Sequence, residues 1–166
     1  MIRPKLFSFF WLPLFLIFSW TIAQGEEYKQ SPALSGLTTA RVYFDLNIGI
    51  PEKLLVRLTL IDKTLSQLQA AGVKTEAVIA FRGKASKFVT QGDWYVEKDE
   101  LAAKTAVHNW LQKFARQGIA MEQCLIAAEL NGISAKDFRP ELTITQNGYI
   151  SMLAHQQKGF TQIPMD

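Results

Sequence analysis

The chain is predicted to fold as an α/β protein, with a parallel sheet covered by helices on both faces. Two observations carry that expectation. Strand-like and helix-like segments alternate five times between Arg41 and Pro164, and parallel neighbours need a long crossover, usually a helix, to bring the chain back. The stretch from Gln24 to Asp166 has the size of one compact domain with a full core, and it holds no internal repeat or low-complexity tract.

The elements follow in order. Arg41–Leu46 reads as a strand ended by Asn47-Ile48-Gly49. Pro51 opens a helix at the position where proline is tolerated, and Leu54, Leu58, Ile61, Leu65 and Leu68 recur at helical spacing before Gly72 stops it. Lys74–Phe81 is the second strand, broken by Arg82-Gly83. A short helix over Ala85–Val89 and a loop over Thr90–Trp94 come next. Leu101–Phe114 is a helix with Ala103, Val107, Trp110, Leu111 and Phe114 on one face, ended by Gly118. A strand then leads to Cys124, followed by a helix to Gly132 and a turn over Ser134–Phe138. Glu141–Thr145 is the fourth strand, Asn147-Gly148 a turn, Tyr149–Gln157 a helix, and Phe160–Pro164 the last strand.

The segment Met1–Ala23 has the pattern of a secretory signal peptide. Arg3 and Lys5 make a basic start, an apolar run extends from Leu6 to Phe18, and Thr21-Ile22-Ala23 supplies small residues for cleavage. The alternative is an uncleaved anchor in the inner membrane, although the apolar run is marginal for a span of about 20 residues. The expected location is therefore the periplasm. Residues 24–39, with Gly25, Pro32 and Gly36, read as a poorly ordered arm, leaving 40–166 as the folded domain. Without residues 1–23 the chain carries nearly equal numbers of basic and acidic residues and no basic block, which argues against nucleic acid as a partner.

Cys124 is the only cysteine. It cannot form an intramolecular disulfide, so the domain must be held by its core alone. It stands where a strand runs into a helix, and a helix start favours the thiolate. The plainer reading is a small buried hydrophobe.

In open parallel sheets, ligands bind outside the carboxyl ends of the strands. Those ends give a candidate rim of Asp45, Asn47, Gly49, Arg82, Gly83, Lys84, Cys124, Asn147 and Gly148. Arg82 and Lys84 are cations that can lower a thiol pKa or hold an anion, or simply solvated charges. Asn47 and Asn147-Gly148 are equally ordinary turn residues. Glycine-rich phosphate loops of the G-x-G-x-x-G and G-x-x-x-x-G-K-[ST] types do not occur. One cysteine with His108 and His155 far apart supplies a zinc site poorly. His108 reads as structural, and His155 as either structural or a partner for Cys124. No cofactor and no metal is expected.

Four stretches also carry a family resemblance. They are Val42-Tyr-Phe-Asp-Leu-Asn47, Ala80-Phe-Arg-Gly83, Cys124 before Leu-Ile-Ala-Ala, and Asn147-Gly-Tyr-Ile-Ser-Met-Leu153 through Lys158-Gly-Phe160 to Pro164-Met165. In order and spacing the chain resembles the DsrE/DsrF-like proteins, which include the sulfur-relay subunits and the YchN-like proteins, and among them the exported single-domain members. The resemblance implies a three-layer α/β/α fold with a five-stranded parallel sheet, assembled as a homotrimer or hexamer. It also implies that Cys124 matches the cysteine that accepts a persulfide and hands the sulfur on, with a sulfur donor or acceptor protein or a small sulfur compound as partner. The relay subunits work in the cytoplasm, whereas this chain carries an export signal. A sulfur carrier using Cys124 and a non-catalytic binding or assembly protein with a structural Cys124 are thus the two functional expectations.

Overall fold

The computed structural model describes residues 31–166. The signal segment expected over 1–23, and residues 24–30 of the arm, lie outside the described residues. Ser31 caps a short 3-10 turn over Pro32–Leu34.

Five strands form one all-parallel sheet with helices on both sides, the α/β fold expected. In chain order they are β1 (Thr39–Leu46), α1 (Pro51–Ala70), β2 (Lys74–Phe81), α2 (Leu101–Arg116), β3 (Ala120–Cys124), α3 (Leu125–Leu130), β4 (Thr143–Thr145), α4 (Gly148–Gln157) and β5 (Thr161–Pro164). The spatial order is β4-β3-β2-β1-β5. The chain steps outward from β1 to β4 along one edge, then returns through α4 to place β5 on the far side of β1.

Alternation along the strands sorts the two faces. Val42, Phe44 and Leu46 of β1, Ile79 and Phe81 of β2 and Met121 of β3 point into the large core. There they meet Leu54, Leu58 and Ile61 of α1, Val107, Leu111 and Phe114 of α2, and Ala128 of α3. Tyr43, Val78 and Ala80 point the other way and are covered by Met152 of α4 and Phe160.

Three local expectations are corrected. The short helix expected over Ala85–Val89 is a 3-10 helix that begins two residues earlier, over Gly83–Val89, with Ala85, Ser86, Phe88 and Val89 buried. Apolar residues three apart point to one side in both helix types, so spacing alone does not separate them. β1 begins two residues early, at Thr39, because Thr39 and Ala40 pair with Lys74 and Thr75. β4 is only three residues long: Leu142 N–H turns back to the Arg139 carbonyl, and Arg139 N–H to Val89, so Glu141 stands outside the sheet. The 90–94 loop is pinned by the buried Lys104 ammonium, which reaches Thr90 Oγ1 at 3.0 Å, Asp93 Oδ1 at 3.3 Å and the Gly92 carbonyl.

Candidate functional site

The chain leaves adjacent strands β3 and β4 toward opposite faces of the sheet. β3 continues into α3 on the large-core side, and β4 into α4 on the other. Such a reversal marks the position at the carboxyl edge where α/β sheets commonly place their ligands. Cys124 ends β3 at that position, level with Thr145 of β4.

Cys124 is 7% exposed, and its thiol lies between two helix starts. The Gly148 N–H, opening α4, donates to Sγ at 3.2 Å, and the Ala127 N–H of α3 at 3.5 Å. Two backbone amides are thus aimed at one sulfur. Gly148 allows this approach because it has no Cβ: one placed there would lie 3.0 Å from Cys124 Cβ and 3.2 Å from Sγ. Below, Gln123 is fully buried and donates from Nε2 to Ser86 Oγ and to the Cys124 carbonyl, both at 2.8 Å, which fixes the peptide at the strand end.

The other expected rim residues divide into three groups. Asn147 caps α4, its Oδ1 accepting from Tyr149 N–H at 2.9 Å, so it stands beside Cys124 as a structural cap. Asn47, Gly49, Gly83 and Lys84 meet at the corner where the β1 and β2 loops cross. Gly83 has φ +55° there, and a Cβ on it would strike Asn47 Oδ1, while one on Gly49 would strike Lys84 Cβ. Arg82 is engaged elsewhere than at the thiol. It binds the Asp45 carboxylate at two points, which raises its pKa further, and its guanidinium lies 5.3 Å from the centre of the Tyr149 ring.

Sequence reasoning missed Glu122. It precedes Cys124 by two residues and therefore leaves the same face of β3. Its Oε2 accepts from Ser151 Oγ at 2.5 Å, and its Oε1 lies 2.9 Å from His155 Nε2. His155, open in the sequence as a partner for Cys124, is thus the partner of Glu122. The signal available was the period of two along β3, but its target lies far along the chain, on α4. Beside them, burial above all, then the Glu122 and Asp45 charges, pushes the Tyr43 phenol far above its ordinary value of 10.0.

A groove of about 790 Å³ opens at the amino ends of β2 and β3, between Leu65, Thr75, Ile119 and Phe160. It lies at the opposite end of the sheet from Cys124, and of the site residues considered from the sequence only His155 lines it.

No family model and no curated protein matches the chain. Among solved structures it is similar to the protein of unknown function MTH1491 from Methanobacterium thermoautotrophicum, with 12% identity over 75% of this chain and 98% of that one, at a TM-score of 0.57. At that identity the likeness is one of fold, and it defines the chain as a parallel α/β protein of that architecture.

Proposed function

We propose that this chain is an exported DsrE-like protein in which Cys124 accepts a sulfane sulfur and passes it on. The observation that carries this reading is the pair of amides, Gly148 N–H and Ala127 N–H, directed at Cys124 Sγ at the carboxyl edge of the sheet. The step is balanced without an oxidant. The Cys124 thiolate attacks the terminal sulfur of a persulfide or polysulfide donor, the donor's sulfur–sulfur bond breaks, and the donor leaves as a thiolate. The transferred sulfur then carries the negative charge on Cys124. An acceptor thiolate reverses the step. Lys84 and Asn47 stand on the neighbouring corner of the rim and suit an anionic donor.

The test is intact mass after exposure to polysulfide. A gain of one sulfur, lost in Cys124→Ser, is expected; an unchanged mass in the folded protein overturns the reading.

A second reading, a non-catalytic assembly protein with a structural Cys124, is favoured by α4. Ser151 and His155 face the sheet while Tyr149, Ile150 and Leu153 are 65%, 65% and 56% exposed. An outward apolar helix face suits contact between copies, and a homotrimer or hexamer is the proposed assembly. Light scattering that returns the mass of one chain counts against it. The proposed location is the periplasm, with an inner-membrane anchor as the alternative. Among the described residues no helix is long and apolar enough to cross a membrane, and N-terminal sequencing from the envelope fraction distinguishes a start near Gln24 from an intact Met1.

A further inference from the structure

α4 is held to the sheet in an unusual way. Its apolar anchorage is small, Met152 against Tyr43, Val78 and Ala80, with Phe160 just beyond its end. Its larger apolar residues, Tyr149, Ile150 and Leu153, face outward. The polar residues face inward instead. Ser151 and His155, one helical turn apart, both meet the single carboxylate of Glu122, at 2.5 and 2.9 Å. Glu122 is mostly buried, its side chain 14% exposed and that of His155 20%.

The same helix starts at Gly148, whose N–H lies 3.2 Å from Cys124 Sγ. β3 therefore carries both ends of one arrangement. Cys124 meets the first residue of α4, and Glu122, on the same strand face, grips its next two turns. A helix with little apolar anchorage owes its register to such contacts, and a shift well under one residue's rise of about 1.5 Å is enough to break an N–H···S contact.

We propose that Glu122 is a positioning residue which, through Ser151 and His155, holds the start of α4 so that the Gly148 N–H stays directed at Cys124 Sγ. The proposal rests on the reading of Cys124 as a sulfur carrier, since that amide bears on chemistry only where the thiol reacts. Glu122 does not touch the sulfur in the role assigned to it. It acts by keeping a donor in place while negative charge resides on Sγ and then on the transferred sulfur. The ionisable groups packed around it fit this role. Tyr43, on β1, is kept neutral by burial. Asp45, also on β1, is engaged by Arg82 of the β2 end and by Gln162 of β5, the latter at 3.1 Å. That leaves Ser151 and His155 as the hydrogen-bond partners of the Glu122 carboxyl among the described residues.

The test is the double substitution Ser151→Ala, His155→Phe. It leaves the Glu122 charge in place and keeps an aromatic ring between Tyr43 and Phe160, which His155 contacts at 5.3 and 4.8 Å between ring centres. Hydrogen exchange of the Gly148 amide is expected to speed up about tenfold or more, with the amides of β1 and β2 unmoved. The midpoint of the pH profile for alkylation of Cys124 by iodoacetamide is expected to move to higher pH, because one N–H donor to the sulfur is lost. Loosening elsewhere in α4 that leaves the Gly148 N–H on the sulfur changes the plateau rate and not that midpoint. Gly148 exchange and an alkylation midpoint equal to those of the unaltered protein overturn the proposal. If the double variant does not fold, Ser151→Ala alone, which favours the helix, carries the test with a smaller shift in the same direction, and no shift overturns it. Polysulfide loading of the unaltered protein is measured in parallel. No loading with the Gly148 effect present overturns the carrier reading alone; loading with the Gly148 amide unmoved overturns the clamp alone.

Discussion

Arg82 closes on the Asp45 carboxylate at two points, Nε to Oδ1 at 2.5 Å and Nη2 to Oδ2 at 2.7 Å, joining the ends of β2 and β1. The Asp45 side chain is 3% exposed, so the pair is desolvated on the acid's side. A rim cation that looks available to a thiol is in fact the partner of a buried acid. Arg82→Ala leaves that acid unpaired and is expected to destabilise the fold by about 3–5 kcal/mol in urea denaturation. Arg82→Lys recovers only part of this, because an ammonium does not span both oxygens. Equal stability of Arg82→Ala and the unaltered protein would show that the pair holds nothing.

Cys124 gives a graded expectation. Its sulfur accepts two N–H groups in a buried place, and a serine hydroxyl can accept the same two. Cys124→Ser should therefore cost less than about 1 kcal/mol. Cys124→Ala strands the buried Gly148 N–H and should cost about 1–3 kcal/mol. Chemical denaturation of both variants checks the order, and a milder alanine would contradict it.

Gly148→Ala tests the close approach at the start of α4. A Cβ would sit 3.0 Å from Cys124 Cβ, an atom fixed to the end of β3. Alanine favours a helix by up to about 1 kcal/mol over glycine. Crowding against a fixed neighbour costs about 1–3 kcal/mol, and the net effect is expected to be a lower Tm. A raised Tm would mean that α4 yields freely.

Glu141 provides the pH dependence. Its hydrogen bonds from Arg139, at 2.5 and 3.1 Å, come first among the causes that hold its carboxyl below the ordinary 4.5, against opposing burial. A carboxyl depressed in the folded state adds stability above its unfolded value, and that stability is lost as pH falls through the folded value. Glu141→Gln should thus be less stable than the unaltered protein at neutral pH, by about 1–2 kcal/mol, with the gap closing below pH 4.5. An equal gap at about pH 7 and pH 3 would show that the carboxylate charge plays no part.

The fold was more legible than the site because helices and strands announce themselves by local period. Leu54, Leu58 and Ile61, spaced by four and three, are each fully buried, and Pro51 opens α1 as read. The short helix ending at Val89 was legible as well, but not its 3-10 geometry, because its apolar spacing suits two helix types. The site escaped in part for a different reason. Arg82 and Asp45 are 37 residues apart, and Glu122 and Ser151 are 29 apart, so no local pattern marks either pair.

The sequence by itself determined the alternation of elements, the apolar faces of α1 and α2, and the place of Cys124 at a strand end running into a helix. These follow from short-range sterics and from which residues avoid water. Tertiary structure alone decided the order β4-β3-β2-β1-β5, the departure of the chain from β3 and β4 toward opposite faces, the engagement of Arg82 by Asp45, and the grip of Glu122 on α4. The physical reason is that periodicity says which side of an element is buried without naming what lies against it. A parallel strand can stand on either edge of a sheet with the same local sequence, and only the packing of distant segments selects the partner for each polar group left inside.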